Sequence, residues 1–127
     1  TLSGETAGEG FGIGSATAVA RMYAATVGDV DGIRLLSPAA TDRARAVQTD
    51  DRDLVLGMPM SYGLGFSLGP SLPPACGPSA FGHSGAGGSL GFADADARIG
   101  FGYVMNAMQL GADSRSEHLV RALYKSL

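Results

Sequence analysis

An α+β fold, with an antiparallel sheet and flanking helices, is what this sequence predicts. Two observations support it: helical periodicity is confined to the two ends of the chain, and strand-like alternation lies between them. Helical spacing extends to about residue 47 and returns after residue 114, whereas alternation of period two begins at Tyr62. The 127 residues are enough for one domain with a hydrophobic core of its own.

The N-terminal part predicts two helices after a glycine-rich start. Ser15 is expected to cap the first helix, which ends at Gly28. Its apolar face consists of residues at helical spacing, namely Val19, Met22, Tyr23 and Val27. Ser37 is expected to cap a second helix, which has proline in its first turn and runs to about Val47.

The middle of the chain predicts antiparallel strands. A charged loop over residues 50–53 separates them from the second helix. Residues 62–68 alternate large apolar side chains with glycine or serine, which indicates a strand whose nearly bare face requires a close packing partner. Further strands are expected at 79–84, 88–94 and 98–106, with a hairpin turn at 95–97.

A C-terminal helix follows the strands. Ser114 and Glu117 have the spacing of a capping box. The apolar stripe of this helix consists of Leu119, Val120, Leu123, Tyr124 and Leu127. The predicted organisation is therefore two regions: residues 1–60 form the end of a helical region, and residues 61–127 form the sheet strands and the helix that covers them.

Composition argues against several classes of partner. The net charge is -3 and the nine basic residues are scattered, so the chain has no electrostatic footprint for nucleic acid. No apolar stretch reaches the roughly 20 residues that span a bilayer. The single cysteine, Cys76, excludes an internal disulfide and a cysteine-based metal site. No nucleotide fingerprint and no convincing metal-ligand set occurs, so we predict no cofactor.

The run from Phe81 to Phe92, FGHSGAGGSLGF, is the most informative part of the chain. It places the imidazole of His83 and the hydroxyls of Ser84 and Ser89 beside backbone that glycine leaves uncovered. Main-chain N–H groups in such a setting can bind a carbonyl or carboxylate oxygen. We interpret the run as one wall of an active site whose nucleophile lies elsewhere.

One alternative places the nucleophile within this run. Residues 82–86 come within one residue of the G-x-S-x-G elbow, and Asp113 and His118 follow Ser84 in the order of a hydrolase triad. That elbow requires a strand, a sharp turn and then a helix, whereas the glycines after Ser84 resist helix formation. The triad Ser84, Asp113 and His118 is therefore the less favoured hypothesis.

The run, together with residues 99–106, resembles the third conserved box and following hairpin of the serine β-lactamase-like hydrolases. This group includes class C β-lactamases, D,D-peptidases and family VIII carboxylesterases. The stretches ARMYA, GIRLLSP and YGLGF, at residues 20–24, 32–38 and 62–66, are similar too. The resemblance implies a β-lactamase/transpeptidase-like fold of which only the C-terminal portion, roughly the last third, is present.

The resemblance also implies roles for individual residues. His83, Ser84 and Gly85 match a box that is Lys-Thr-Gly or a histidine-containing variant, and histidine in place of lysine favours an esterase. His83 is expected to assist proton transfer or orient the ester, and Ser84 to contact the polar end of the substrate. The backbone N–H of Ala86 is expected to form half of the oxyanion hole. Substrate-binding positions are expected at the glycines of the run, Gly85, Gly87 and Gly88.

Two other boxes of that family are absent. The only lysine is Lys125, with Ala122 three residues before it, so the chain contains no S-x-x-K. None of the four tyrosines begins a Tyr-x-Asn box. We therefore expect an N-terminal portion, upstream of Thr1, to carry the nucleophile, since the glycine-rich strand faces also require packing partners that this chain hardly provides.

The functional prediction follows from these matches and departures. The chain is expected to be the C-terminal part of a serine hydrolase, most closely a carboxylesterase, that forms an acyl-enzyme with a small-molecule ester or amide. Without the S-x-x-K region it is expected to be inactive. The alternative from another class is a non-catalytic module that keeps this part of the fold as a binding or assembly surface.

Overall fold

A computed structural model describes residues 12–109 and 115–127 of the protein. The α-helices in these residues are α1 (Ala16–Val27), α2 (Pro38–Ala44) and α3 (Arg115–Lys125). The strands are β1 (Thr49–Arg52), β2 (Pro59–Tyr62), β3 (Ser67–Leu68), β4 (Ala80–Ser84), β5 (Leu90–Asp94) and β6 (Ile99–Tyr103), with a short 3-10 helix at Gly69–Ser71. The predicted α+β arrangement of helices and antiparallel strands is confirmed.

The six strands form one antiparallel sheet in which each strand pairs with its neighbours in the sequence. Helix α1 packs on one face, where Tyr23 joins a buried cluster with Phe81 and Ala93. Helix α3 packs on the other, where Val120 joins a cluster with Phe92. Consecutive strand residues point to opposite faces, which accounts for this division.

Glycines let α1 lie directly on the sheet. A Cβ atom at Gly102 would lie 2.7 Å from the backbone nitrogen of Ala20, and one at Gly100 would lie 2.7 Å from Cα of Ala24. Such distances are too short for any real Cβ, so only glycine permits this approach. The expectation that these strand faces lack a packing partner in the chain was wrong, because α1 itself provides one.

The strand expected at 62–68 is a tight turn between two strands. Gly63 donates a backbone hydrogen bond to the carbonyl oxygen of Phe66 at 2.8 Å, and Gly65 has a φ of +81°. Positive φ is readily adopted by glycine, so the alternating glycines serve the turn and not an extended strand. The pairing of Tyr62 with Ser67 then joins β2 to β3.

The sheet also begins earlier than predicted. Residues 50–53 were expected to form a charged loop, but residues 49–52 form β1 and pair with β2, and all four side chains are exposed. An exposed edge strand tolerates charged residues because water solvates them on both sides. The boundary expected at residue 61 consequently falls inside β2.

The caps of the first two helices agree with the sequence, but their extents differ in detail. The hydroxyl of Ser15 accepts a hydrogen bond from the backbone N–H of Ala18 at 3.1 Å, as expected of an N-cap. Met22, predicted to face the core, is 47% exposed. Helix α2 ends at Ala44 and not at Val47, since the carbonyl oxygen of Ala44 accepts a hydrogen bond from Leu64 instead.

Helix α3 is attached to the sheet by fewer residues than the predicted stripe. Val120 is fully buried, whereas Leu119 and Leu127 are 50% and 69% exposed. The predicted cap, Ser114, lies outside the described residues. In the described part of the chain, no helix has the length and hydrophobicity to cross a membrane.

A buried carboxylate joins the β5–β6 turn to α3. Asp94 accepts hydrogen bonds from the hydroxyls of Ser79 and Tyr124, both at 2.5 Å, and from the backbone N–H groups of Asp96 and Ala97, both at 3.0 Å. Burial raises the pKa of Asp94, but these hydrogen bonds outweigh burial and lower the pKa below its usual value. The predicted hairpin turn at 95–97 is thereby confirmed.

Cys76 lies beside this carboxylate. Burial, followed by the negative charges of Asp94 and Glu117, raises the pKa of the thiol to about 12. A thiol with so high a pKa stays protonated at neutral pH, which makes it a poor nucleophile. The sulfur is therefore a packing group of the α3 face.

Candidate active site

Strand β4 passes from the core to the surface at its C-terminal end. Residues 80–82 are buried, whereas His83 and Ser84 are exposed. In the register with β5, His83 lies opposite Gly91 and Ser84 lies opposite Leu90. Because Gly91 contacts α1 and Leu90 belongs to the α3-side core, the two side chains of β4 point to opposite faces of the sheet.

His83 lies on the α1 face, where it lines a cavity of about 300 Å³ with Val19, Tyr23 and Tyr103 among others. Its Nδ1 atom is 2.7 Å from the carbonyl oxygen of Ser84. A carbonyl oxygen only accepts, so this contact assigns the proton of the neutral ring to Nδ1. The lone pair on Nε2 then remains available to accept a proton.

Ser84 lies on the α3 face, where it lines a second cavity of about 240 Å³. Four residues of the glycine-rich run line this cavity with it, namely Gly85, Ala86, Gly88 and Ser89, and the other lining residues are Ser71, Pro73 and Ser116. The structure thus groups Ser84 with the turn that follows it and directs the His83 side chain to the other face.

The turn after β4 satisfies only part of its backbone donors: among the described residues, neither Ala86 N–H nor Gly87 N–H has an acceptor. Gly85 donates to the carbonyl oxygen of Ser89 at 2.7 Å, and Gly88 donates to that of Gly85 at 2.9 Å. Ala86 is exposed, and within residues 12–109 and 115–127 its N–H has no hydrogen-bond acceptor. An N–H in this position is a donor available to an oxygen atom from outside.

Gly87 differs from its neighbours in the turn. It is buried, although Gly85 and Ala86 are exposed, and its carbonyl oxygen accepts a hydrogen bond from Gln109 at 3.2 Å. Met108 packs against it from the segment after β6. Of the three glycines predicted to bind substrate, Gly85 and Gly88 line the Ser84 cavity, whereas Gly87 is covered by the protein.

Two residues near the turn, Ser89 and Met108, were not predicted from the sequence to belong to the site. No local pattern assigns a role to Ser89, yet it lines both the His83 cavity and the Ser84 cavity. The local sequence does not indicate that Met108 packs on Gly87, because Gly87 lies in the connection between β4 and β5 and Met108 lies in the segment after β6. Only the pairing of β5 with β6 brings those connections together.

The triad alternative lacks the geometry of a nucleophile elbow. Ser84 is followed by a turn into β5, which pairs antiparallel with β4, and not by a helix. His118 is exposed on α3, and Asp113 lies outside the described residues. In the described ranges, no group of three or more His, Cys, Asp or Glu residues is arranged to hold a metal ion.

A larger cavity, of about 420 Å³, lies between α2 and the start of β4. Its lining includes the ion pair of Arg45 and Asp42, whose side-chain atoms are 3.3 Å apart. None of the predicted site residues lines it. The chemistry-bearing groups of the glycine-rich run are therefore at the two smaller cavities.

Comparison with known proteins identifies the family. The family model described as beta-lactamase matches residues 2–125. The chain belongs to the beta-lactamase family. A curated relative, "Esterase/beta-lactamase LipL" of Mycobacterium tuberculosis, is 35% identical over 105 residues, which cover 76% of this chain and 23% of that protein.

Solved structures of the family have the same fold. A family VIII carboxylesterase is 37% identical with a TM-score of 0.76 over 86% of this chain and 31% of its own. A penicillin-binding protein homologue from Caulobacter crescentus is 41% identical with a TM-score of 0.79, over 89% and 32%. EstA from Arthrobacter nitroguajacolicus is 34% identical with a TM-score of 0.76, over 87% and 31%.

The family resemblance read from the sequence is thereby confirmed, as is the β-lactamase-like fold. The beta-lactamase-family chain spans about a third of the length of these solved structures and about a quarter of the curated relative.

Proposed function

We propose that this beta-lactamase-family chain supplies one wall of the active site of a serine esterase. The wall consists of the Ala86 N–H as an oxyanion donor, Ser84 as a substrate contact and His83 as a proton-transfer group. The nucleophilic serine and its lysine come from polypeptide outside these residues, because the chain contains no S-x-x-K. The substrate is a small-molecule ester, and the reaction proceeds through an acyl-enzyme.

The observation that carries this proposal is the unpaired N–H of Ala86. The turn satisfies the N–H groups of Gly85 and Gly88 with acceptors inside the protein, whereas those of Ala86 and Gly87 have none among the described residues. Of these two donors, Ala86 is exposed and lines the hydroxyl-lined cavity of Ser84, whereas Gly87 is buried and does not line it. Preorganised donors of this kind act by stabilising the negative charge that develops on a carbonyl oxygen.

The mechanism uses that donor in both halves of the reaction. The serine hydroxyl gives its proton to a base as its oxygen attacks the ester carbonyl carbon. The carbonyl π electrons move to the carbonyl oxygen, which accepts the hydrogen bond of Ala86. When the C–O bond to the alcohol breaks, the leaving oxygen takes a proton and the acyl group stays on serine. Water then gives a proton to a base and attacks the same carbonyl, whose oxyanion again accepts from Ala86. The bond from the acyl carbon to the serine oxygen breaks, that oxygen takes the proton back, and the acid is released.

His83 lies at the same exposed end of β4 with its side chain on the α1 face, and Ser89 lines both its cavity and the Ser84 cavity. With the Nδ1 proton held by the Ser84 carbonyl, Nε2 carries the lone pair. Ester hydrolysis requires a proton for the departing alcohol and a base for the attacking water. In the assembled protein we assign one of these transfers to Nε2 of His83, on the cavity of the α1 face.

Ester specificity is proposed on two grounds. A histidine stands where the lysine of the third box stands in β-lactamases of this kind, so the fixed positive charge that attracts a substrate carboxylate is absent from position 83. The names of the relatives agree, since they include a family VIII carboxylesterase and an esterase/beta-lactamase. An ester without a carboxylate has no need of that charge.

Removal of the Ala86 N–H tests the proposal. In the intact enzyme, Ala86→Pro deletes the donor, and we expect kcat for a p-nitrophenyl ester to fall about 100- to 1000-fold. Ala86→Gly keeps the N–H and is the matched control, with activity near that of the wild type. Replacement of Ala86 by lactic acid exchanges only the N–H for oxygen, so it separates the lost donor from any effect of the proline ring.

The outcomes discriminate clearly. Comparable losses for Ala86→Pro and the lactic acid variant, with unchanged melting temperatures, support the oxyanion role. Unchanged turnover by the lactic acid variant would refute it, and the binding-module hypothesis would then take precedence.

A further inference from the structure

The segment after β6 packs against the turn that carries the Ala86 N–H. A Cβ atom at Gly87 would lie 2.6 Å from Cε and 2.8 Å from Cγ of Met108, and 3.0 Å from Cε of Met105. Both methionine side chains therefore lie in contact with the Gly87 backbone, in space that any larger residue would need. This close contact explains why Gly87 is buried in an otherwise exposed turn.

The same segment is anchored at two further points. The backbone N–H of Gln109 donates to the carbonyl oxygen of Gly87 at 3.2 Å. This hydrogen bond holds the peptide group between Gly87 and Gly88. The Arg115 side chain, at the start of α3, donates to the carbonyl oxygen of Ala107 at 3.0 Å. Segment 104–109 is thus held by α3 on one side and holds the turn on the other.

The turn requires such support because its own sequence is flexible. Glycine populates many backbone conformations, and Gly88 has a φ of +105°. Residues 85–88 contain three glycines, and the peptide plane that carries the Ala86 N–H is held by one internal hydrogen bond, from the Gly88 N–H to the Gly85 carbonyl oxygen at 2.9 Å. A side chain packed on Gly87 restricts the residues between the two ends of that hydrogen bond and so supports it.

We propose that Met108 is a positioning residue that sets the direction of the Ala86 N–H. It acts through Gly87 and does not touch the reacting atoms. This inference rests on the proposed oxyanion role of Ala86 and adds the residue that orients the donor. Because a donor displaced by about 1 Å can cost 100-fold in rate, loss of this packing affects the transition state more than substrate binding.

Truncation of the side chain tests the inference in the intact enzyme. Met108 is 64% exposed, so Met108→Ala is expected to leave the melting temperature nearly unchanged. We expect kcat for a p-nitrophenyl ester to fall about tenfold with KM within about twofold. Met108→Leu, of similar volume, is expected to restore most of the activity. Met58→Ala, at a methionine that is 53% exposed on the β1–β2 hairpin, is the matched control with wild-type kcat.

A double variant distinguishes this inference from the proposed function. If Met108 acts by orienting the Ala86 N–H, Met108→Ala lowers kcat in the wild type but has little further effect in Ala86→Pro. Equal losses in both backgrounds, or wild-type kcat for Met108→Ala, would overturn the positioning role while leaving the oxyanion role intact. If Ala86→Pro itself retains full activity, the proposed function fails first.

Discussion

The hydroxyl of Tyr124 donates a hydrogen bond to the Asp94 carboxylate at 2.5 Å, across the interface between α3 and the sheet. Tyr124 is also stacked on Phe92, with ring centroids 6.4 Å apart and planes within 9°. The aromatic ring and the hydroxyl therefore fix the same helix to β5 in two ways. Burial and then the hydrogen bond to Asp94 raise the pKa of Tyr124 above its usual value, so the hydroxyl remains a donor at neutral pH.

The first prediction concerns that hydroxyl. Tyr124→Phe keeps the ring and leaves Oδ2 of the buried carboxylate without its donor. We expect the free energy of unfolding of the protein to fall by about 1.5–3 kcal/mol, as for hydrogen bonds to charged groups. Urea denaturation measures it, with Tyr62→Phe as control because no hydrogen bond of the Tyr62 hydroxyl occurs in the described residues. Equal stability of the two variants would contradict the role of the Tyr124–Asp94 contact.

The second prediction is a pH dependence of stability. Hydrogen bonds lower the pKa of Asp94 in the folded protein, so the ionised carboxylate stabilises the fold. This stabilisation is complete above the unfolded-state pKa of about 3.9 and is lost as the pH falls through the lower folded-state pKa. Asp94→Asn should therefore be less stable than the wild type at pH 7, with a difference that narrows below about pH 4. A difference that widens in acid would show that the pKa is raised instead.

The third prediction concerns the contact of α1 with the sheet. Gly100→Ala introduces a methyl group against the backbone of Ala20 and Ala24, and we expect a loss of about 1–3 kcal/mol in the free energy of unfolding. Gly28→Ala is the matched control, since a Cβ there meets only Ala24 O at 3.7 Å, an ordinary contact. Thermal unfolding that is unchanged by Gly100→Ala would mean that α1 does not lie this close to β6.

Local sequence rules predicted the elements that depend on local interactions. The Ser15 cap, the strands around β4, β5 and β6, and the hairpin turn at 95–97 were confirmed, because side-chain caps and alternation act over a few residues. The family resemblance then gave the fold as a whole. The break of residues 62–68 into a turn was missed, since alternating glycines fit both a strand and a turn.

The site was less predictable than the fold. That His83 and Ser84 would face opposite sides follows from strand alternation, but which helix covers each face depends on the tertiary arrangement. The burial of Gly87 depends on Met108, which is distant in sequence, so no local pattern indicated it. The roles of His83, Ser84 and Ala86 in catalysis stay predictions.

Intact-protein mass spectrometry with a fluorophosphonate probe tests the central claim most directly. The probe forms a covalent adduct with an activated serine, and the purified enzyme is measured before and after labelling. We predict that the adduct is on a serine of an S-x-x-K motif outside these 127 residues, and that no serine of this chain is labelled. An adduct on Ser84 would contradict the account and restore the triad with Asp113 and His118.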